Sequence, residues 1–191
     1  MADDTQGKGI DLCQDDADDR GSGDHSLVVV VFRVQAEWLA LAARSLDEIV
    51  SMRPIHSLPH RRSGVILGLA NVRGGLLTCM ALSSLLGIPD AGTQASATQG
   101  GAKAGAAASV QVGGRLPRLL VLRSQPLDVA LYVDEVDGVH ALNANRLKAV
   151  PSTLAGAAAR HTVGWGRCGD RQVGLLDETA LNNAIQRGFL S

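Results

Sequence analysis

Aromatic residues are nearly missing from this 191-residue chain. Trp38, Trp165, Phe32, Phe189 and Tyr132 make up 3% of it. So few rings cannot build the stacked platforms that grip bases or sugars, and the core falls to Leu, Val, Ile and Ala. Long apolar runs are missing too. The strongest, Leu27 to Phe32, is six residues, against the roughly 18–20 of a spanning helix, so no direct membrane insertion is expected. The three cysteines, Cys13, Cys79 and Cys168, stand far apart with no Cys-x-x-Cys pair. That excludes a zinc or disulfide framework and fits a reducing, cytoplasmic compartment. The polar N-terminus is no signal peptide. Nor is there an excess of one charge: 18 Lys and Arg oppose 19 Asp and Glu, net −1, unlike the basic excess of a nucleic-acid binder.

The balance hides a split. Residues 1–25 hold eight Asp against Lys8 and Arg20, net −6, and residues 26–191 carry net +5. The first segment has too little apolar surface to offset ordering entropy and reads as a disordered acidic tail. A second odd segment, 89–114, has 8 Ala and 6 Gly in 26 residues and reads as a flexible low-complexity connection. Between and beyond them lie two apolar halves, about 26–88 and 116–190, which together form the folded region 26–190.

The first half opens with Ser26–Val34, rich in β-branched residues and read as a strand. Trp38–Leu41, Leu46–Met52, Gly64–Val72 and Leu76–Met80 follow as strands, with a turn at Arg73-Gly74-Gly75. Ala81–Leu86 reads as a short helix closed by Gly87. The second half repeats this order: strands at Leu119–Arg123, Val129–Val133, Val136–Leu142, Thr162–Trp165 and Gln172–Leu176, then a helix over Asp177–Gln186.

An internal repeat underlies the parallel. At an offset of 90, Val31, Arg33, Gln35, Ala40, Leu41 and Asp47 meet Val121, Arg123, Gln125, Ala130, Leu131 and Asp137. These are six identities in the 18 positions 30–47, where random composition gives roughly one or two. Near the end of each half the offset becomes 96, aligning Gly68 with Gly164 and Leu85 with Leu181. The expectation is an all-β fold of two similar small units, each closing on itself to remove exposed edges.

Catalytic patterns are hard to assemble. Gly164-Trp-Gly-Arg-Cys-Gly169 spells G-x-G-x-x-G, but a strand rather than a helix follows it, so it reads as a hairpin turn. His25, His56, His60, His140 and His161 form no metal-ligand spacing, since Pro54 and Pro59 break the helix that would align His56 with His60; they read as solvated loop residues. No serine sits on a strand-to-helix elbow. Cys79 reads as a small core residue, and His60-Arg61-Arg62 as a solvated basic loop. No catalytic residue, metal or cofactor is expected.

The most informative polar feature is Asn71-Val-Arg73-Gly74-Gly75, which interrupts the apolar stretch 64–86. Plain turn chemistry is one reading, with Asn and Gly tolerating the backbone and Arg pointing to water; an arginine there is also a good interface anchor. Gly68-Leu-Ala-Asn-Val-Arg-Gly-Gly-Leu-Leu77, followed by Ala81-Leu-Ser-Ser-Leu-Leu-Gly87, resembles the signature of CheW-like domains. Leu46-Asp-Glu-Ile49, Met52–Pro59, Val133–Val139 and Gly174-Leu-Leu-Asp177 fit the same pattern in order. Ala81-Leu82 stands where the family has Asp-Leu, and Thr78 or Cys79 where it has Pro. The resemblance implies two five-stranded β-barrel subdomains and a non-enzymatic adaptor that couples a methyl-accepting chemoreceptor's cytoplasmic tip to a CheA-type histidine kinase. A scaffold or inhibitor that binds the kinase without a receptor is the alternative. Carried over by position, Glu48 and Arg73 match residues implicated in receptor and kinase contact, with Leu46, Asn71 and Gly74 as their motif neighbours.

Overall fold

The computed structural model describes residues 11–12, 26–58, 64–89, 116–123, 128–149 and 157–190. Its strands are β1 (Asp11–Leu12), β2 (Ser26–Val34), β3 (Glu37–Ala42), β4 (Leu46–Ser51), β5 (Ile55–His56), β6 (Ile66–Val72), β7 (Gly75–Ala81), β8 (Arg118–Leu122), β9 (Val129–Val133), β10 (Glu135–Asn143), β11 (Thr162–Cys168) and β12 (Arg171–Leu176). Helix α1 spans Leu82–Leu86 and α2 spans Glu178–Leu190. They form two six-stranded sheets, ordered β1-β10-β2-β3-β12-β11 and β4-β8-β9-β7-β6-β5. The all-β expectation holds.

The sheets do not coincide with the halves of the sequence, which corrects the reading of one unit per half. Hairpin β2–β3 of the first half lies between β10 and β12 of the second, and hairpin β8–β9 of the second lies between β4 and β7 of the first. Each half thus gives its first hairpin to the other's sheet through a parallel pairing, β3 with β12 and β9 with β7. Apolar alternation fixes a strand's face, not its neighbour, so the exchange leaves no local mark in sequence. Element by element the repeat is kept. β6 and β11 are related by the offset of 96, and their ladders are both interrupted at the matching bulges Ile66/Gly68 and Thr162/Gly164.

Both sheets curl strongly. β4 and β5 are opposite edges of one sheet, yet only residues 52–54 separate them. Four residue steps span about 14 Å, whereas the edges of a flat six-stranded sheet lie about 24 Å apart. In the other sheet Lys148, just beyond β10, exchanges two 2.8 Å backbone hydrogen bonds with Trp165 of β11, joining its far sides. Each sheet is therefore curled into a barrel-like shape, and the Lys148–Trp165 bonds tie part of the seam in the sheet that contains β10 and β11. The six-strand count exceeds the expected five because the two-residue strands β1 and β5 are added. Asp11–Leu12 pairs with His140–Ala141, so this part of the segment read as a tail is a strand. The rest of 1–25, the His60–Arg62 cluster and residues 90–114 of the connection lie outside the described residues.

Three apolar clusters follow from this arrangement. One fills each barrel: Val29, Val31, Ala40, Leu142, Val173 and Leu175 in the first, and Ala70, Val72, Leu77, Cys79, Leu119, Val121 and Ala130 in the second. The third and largest lies between them and takes the opposite faces of the exchanged hairpins: Val30, Phe32, Leu39 and Leu41 against Leu120, Leu122, Val129 and Leu131, with Leu181 and Ile185 of α2. Strands covered on both faces need continuous rather than alternating apolar residues, which explains the stretch Val29–Phe32, buried throughout.

Glycines set the strand limits. The strand Thr162–Trp165 was expected to give way to a turn at Gly166, but β11 continues to Cys168. A Cβ on Gly166 would meet Leu142 Cδ1 at 2.8 Å, so the glycine admits a close neighbour instead of breaking the strand. Gly68 has φ +145°, and a Cβ there would lie 2.2 Å from the His56 carbonyl oxygen. Gly68→Ala is expected to lower unfolding stability by about 3 kcal/mol, through both backbone strain and collision. Gly64→Ala, with open space around the new methyl group, is expected to change it by less than about 0.5 kcal/mol. Denaturant unfolding of the two variants checks this.

Candidate functional site

Residues 72 and 75 pair across the β6–β7 hairpin, leaving Arg73 and Gly74 as a two-residue loop. Both have positive φ, +51° and +88°, as in the I′ turn, whose twist matches that of the flanking strands. Asn or Gly suits the first loop position, and arginine there bears about 1–2 kcal/mol of left-handed strain. The Asn71 side-chain oxygen accepts a hydrogen bond from the Gly74 amide at 2.9 Å and stiffens the loop. Gly169, at the matching place in the second half, also has positive φ (+58°), so the frame calls for glycine and only the first half carries the arginine.

Arg73 leaves the loop with 80% of its side chain exposed, and its Nη2 lies 2.8 Å from Oε2 of Glu48 on β4. That oxygen is shielded from solvent, yet the approach angle makes no directed hydrogen bond. The pair is therefore an ion contact that leaves most of the guanidinium donors open. Glu48 sits beside the bulge between Leu46 and Glu48 in the β4–β8 ladder. The curl that brings β4 near β6 is what lets residues 25 positions apart meet.

Of the five residues expected at the site, Glu48 and Arg73 are brought together by charge, and Asn71 and Gly74 by a hydrogen bond. Leu46 stands apart: it is buried in the cluster between the barrels, where it offers a partner no side-chain surface and acts on the site only by anchoring β4. Near the hairpin, Leu76 on β7 is exposed, as are Ile49 and Met52 on and after β4. Sequence reading passed over them because an apolar residue in a strand is by default assigned to a core.

Other chemistry-bearing groups are built into the frame. Burial pushes the Cys79 thiol up to about 11, a backbone hydrogen bond from Ala70 only partly opposing this. It stays protonated at neutral pH and is no nucleophile. Among the described residues no three His, Cys, Asp or Glu converge as a metal site, and no helix is long and apolar enough to cross a membrane. His140, expected in a solvated loop, lies on β10 with its Nε2 2.9 Å from Asp137 Oδ2. The Arg171 Nη1 donates to Asp137 Oδ1 at 2.6 Å, and its guanidinium lies 4.3 Å from the Trp38 ring centroid. This strap runs from β12 over β3 to β10. His56 is an exposed residue of β5.

Two expectations follow. Arg73→Gly removes backbone strain of about 1–2 kcal/mol and an ion pair whose arginine is largely exposed, worth about 1 kcal/mol, so its unfolding free energy should stay within about 1 kcal/mol of the parent's. Arg73→Val, β-branched at positive φ, should fall at least ~1 kcal/mol below Arg73→Gly. Denaturant midpoints compare them. At Asp137 burial alone would raise the carboxyl pKa, but the hydrogen bonds and charges of Arg171 and His140 hold it below its usual 3.8. The stabilisation from that lowered value is fully present above the unfolded-state pKa and is lost as pH falls through the folded one. Asp137→Asn should therefore flatten the acid side of the stability–pH curve, as read by thermal melts across pH.

A model of the CheW-like domain matches residues 28–186. Among solved structures, the scaffolding protein TtCheW from Thermoanaerobacter tengcongensis is similar, with 18% sequence identity over 80% of this chain and 89% of that chain and a TM-score of 0.57. At this identity the likeness speaks for the fold. No curated protein matches the chain.

Proposed function

Because the chain belongs to the CheW-like domain family, we propose that it is a non-catalytic adaptor of a chemosensory pathway, holding a chemoreceptor's cytoplasmic tip to a CheA-type histidine kinase on the cytoplasmic side. One observation carries the reading. Arg73 occupies a loop position that favours glycine, at a cost to folding, and directs an exposed, incompletely paired guanidinium outward. A residue that destabilises its own turn is accounted for by what it binds. Its planar donors suit a carboxylate or carbonyl on a partner. Glu48 holds the side chain in place before contact, which lowers the ordering cost of binding.

The fold suits transmission. The hairpins shared between the two sheets make the barrels one body, so partners seated on different faces bias each other's geometry without any moving part in the adaptor. Individual contacts of modest strength suffice when many copies are held in an array.

Co-sedimentation with receptor tips and kinase is expected to yield a ternary complex. Loss of the Arg73 contact should cost about 2 kcal/mol, roughly thirtyfold in affinity, in Arg73→Gly. Full affinity in that variant overturns the role given to Arg73. Binding to kinase and never to receptor selects the scaffold or inhibitor reading instead.

A further inference from the structure

The two halves form a built-in control for one another, and at one place they differ by a missing carboxylate. In the barrel that contains β2, Arg33 pairs across the ladder with Glu135. The Arg33 Nε donates to Glu135 Oε2 at 3.1 Å, and its Nη1 donates to the Gln35 carbonyl at 2.8 Å. Glu135, at 5% exposure, is the sole buried charged residue among those described. The offset of 90 carries Arg33 to Arg123 and Glu135 to Ser45. The backbone keeps the correspondence, because the Arg123 amide donates to the Ser45 carbonyl at 2.9 Å. Both halves thus carry the arginine, but where one has the Glu135 carboxylate the other has the Ser45 hydroxymethyl group.

An open cleft of about 230 Å³ stands there, lined by Ser45, Arg123, Arg44, Leu41, Leu122 and Asn182 among others. Ser45 Oγ is shielded from solvent and has no hydrogen-bond partner. Arg123 has only a long contact, 3.6 Å, to Asp47, with both side chains mostly exposed. Glu178 also borders the cleft, but Arg44 binds its Oε1 from Nε and Nη2 at 3.1 and 2.8 Å, so its charge is already countered. What the cleft lacks is the acceptor that Glu135 supplies in the other barrel.

We propose that this cleft is a carboxylate-binding site, in which an Asp or Glu side chain from outside the two barrels takes the place of the missing Glu135 counterpart between Arg123 and the Ser45 hydroxyl. A charge-assisted bond from Arg123 and a neutral one from Ser45 satisfy both carboxylate oxygens. The incoming group displaces only the weak Asp47 contact. The carboxylate has two sources. One is another protein. The other is the chain's own segment 1–25, which carries net −6 and leads into β2, whose Val29 pairs with Ala42 just before Arg44 and Ser45.

Sodium acetate is the probe, followed by the Ser45 amide and the Arg44 and Arg123 side-chain N–H signals in NMR spectra of the full chain, with sodium chloride as the ionic-strength control. Three variants accompany it: Ser45→Glu, which installs the carboxylate internally; Arg123→Gln, at an exposed position; and a chain with Asp15, Asp16, Asp18, Asp19 and Asp24 changed to Asn. A saturable acetate shift in the parent that disappears in Ser45→Glu and Arg123→Gln supports the site and points to another protein as the source. A shift that appears only in the Asp-to-Asn chain, and is lost when Arg123→Gln is added, supports the site with the chain's own aspartates as occupant. No saturable shift in either background overturns the proposal, as does a shift that survives Arg123→Gln. If Ser45→Glu does not fold, the Arg123→Gln comparison decides alone.

Discussion

The parallel pairing of β3 with β12, mirrored by that of β9 with β7, is the constraint on which the rest depends. A parallel neighbour cannot come from a hairpin and must be brought by a long connection. Here the chain delivers an entire hairpin into the opposite sheet, twice. Neither barrel is complete without the other half. The hairpins are buried on both faces, and the largest apolar cluster lies where they meet. The function proposed for the chain inherits its rigidity from this interlock, because a hinge between barrels would break strand ladders as well as side-chain packing.

That constraint also determines what can be read from the sequence. Residues 26–34 and 129–133 were legible as strands because β-branched residues are dense there. The bulge glycines were legible as a pair, Gly68 and Gly164, because duplication preserved their spacing. Their roles were not. Gly166 looked like a turn residue, since a glycine's sequence context does not say whether it supplies a positive φ or makes room for Leu142 and Leu147. The strand partners were hidden for a related reason: β2 packs equally well on paper against either half. At the site, Asn71, Arg73 and Gly74 were visible as a polar interruption of an apolar stretch. The left-handed Arg73 backbone and its contact with Glu48 required the curl of the sheet, which is a property of all six strands together.

Helix lengths show how a single residue shapes a frame that is otherwise repeated. Asp177 accepts hydrogen bonds from the amides of Thr179 and Ala180 at 2.8 and 3.0 Å, capping α2, which runs 13 residues. The matching Ala81 makes no side-chain cap, and α1 ends after five residues at the left-handed Gly87. An absent cap costs about 1 kcal/mol, a large share of what one short helix contributes. Leu181 and Asn182, within the first five residues of α2, stand against the cleft beside Arg123.

Where the two halves agree, the fold dictates the residue; where they differ in polar character, it does not. Ala40 and Ala130 agree because a small barrel admits no larger side chain beside its filled interior. Arg33 and Arg123 agree, yet only one has a buried carboxylate. Arg73 and Gly169 differ at a position whose backbone favours glycine in both. At the offset of 90, Glu48 corresponds to Gly138 and Ser45 to Glu135. The differences fall on the β6–β7 loop, on the β4 bulge and at the turn before β4, all on or near the rim of the second barrel and its junction with the first. In a frame whose packing is nearly symmetric, these polar differences are what distinguish one side of the body from the other.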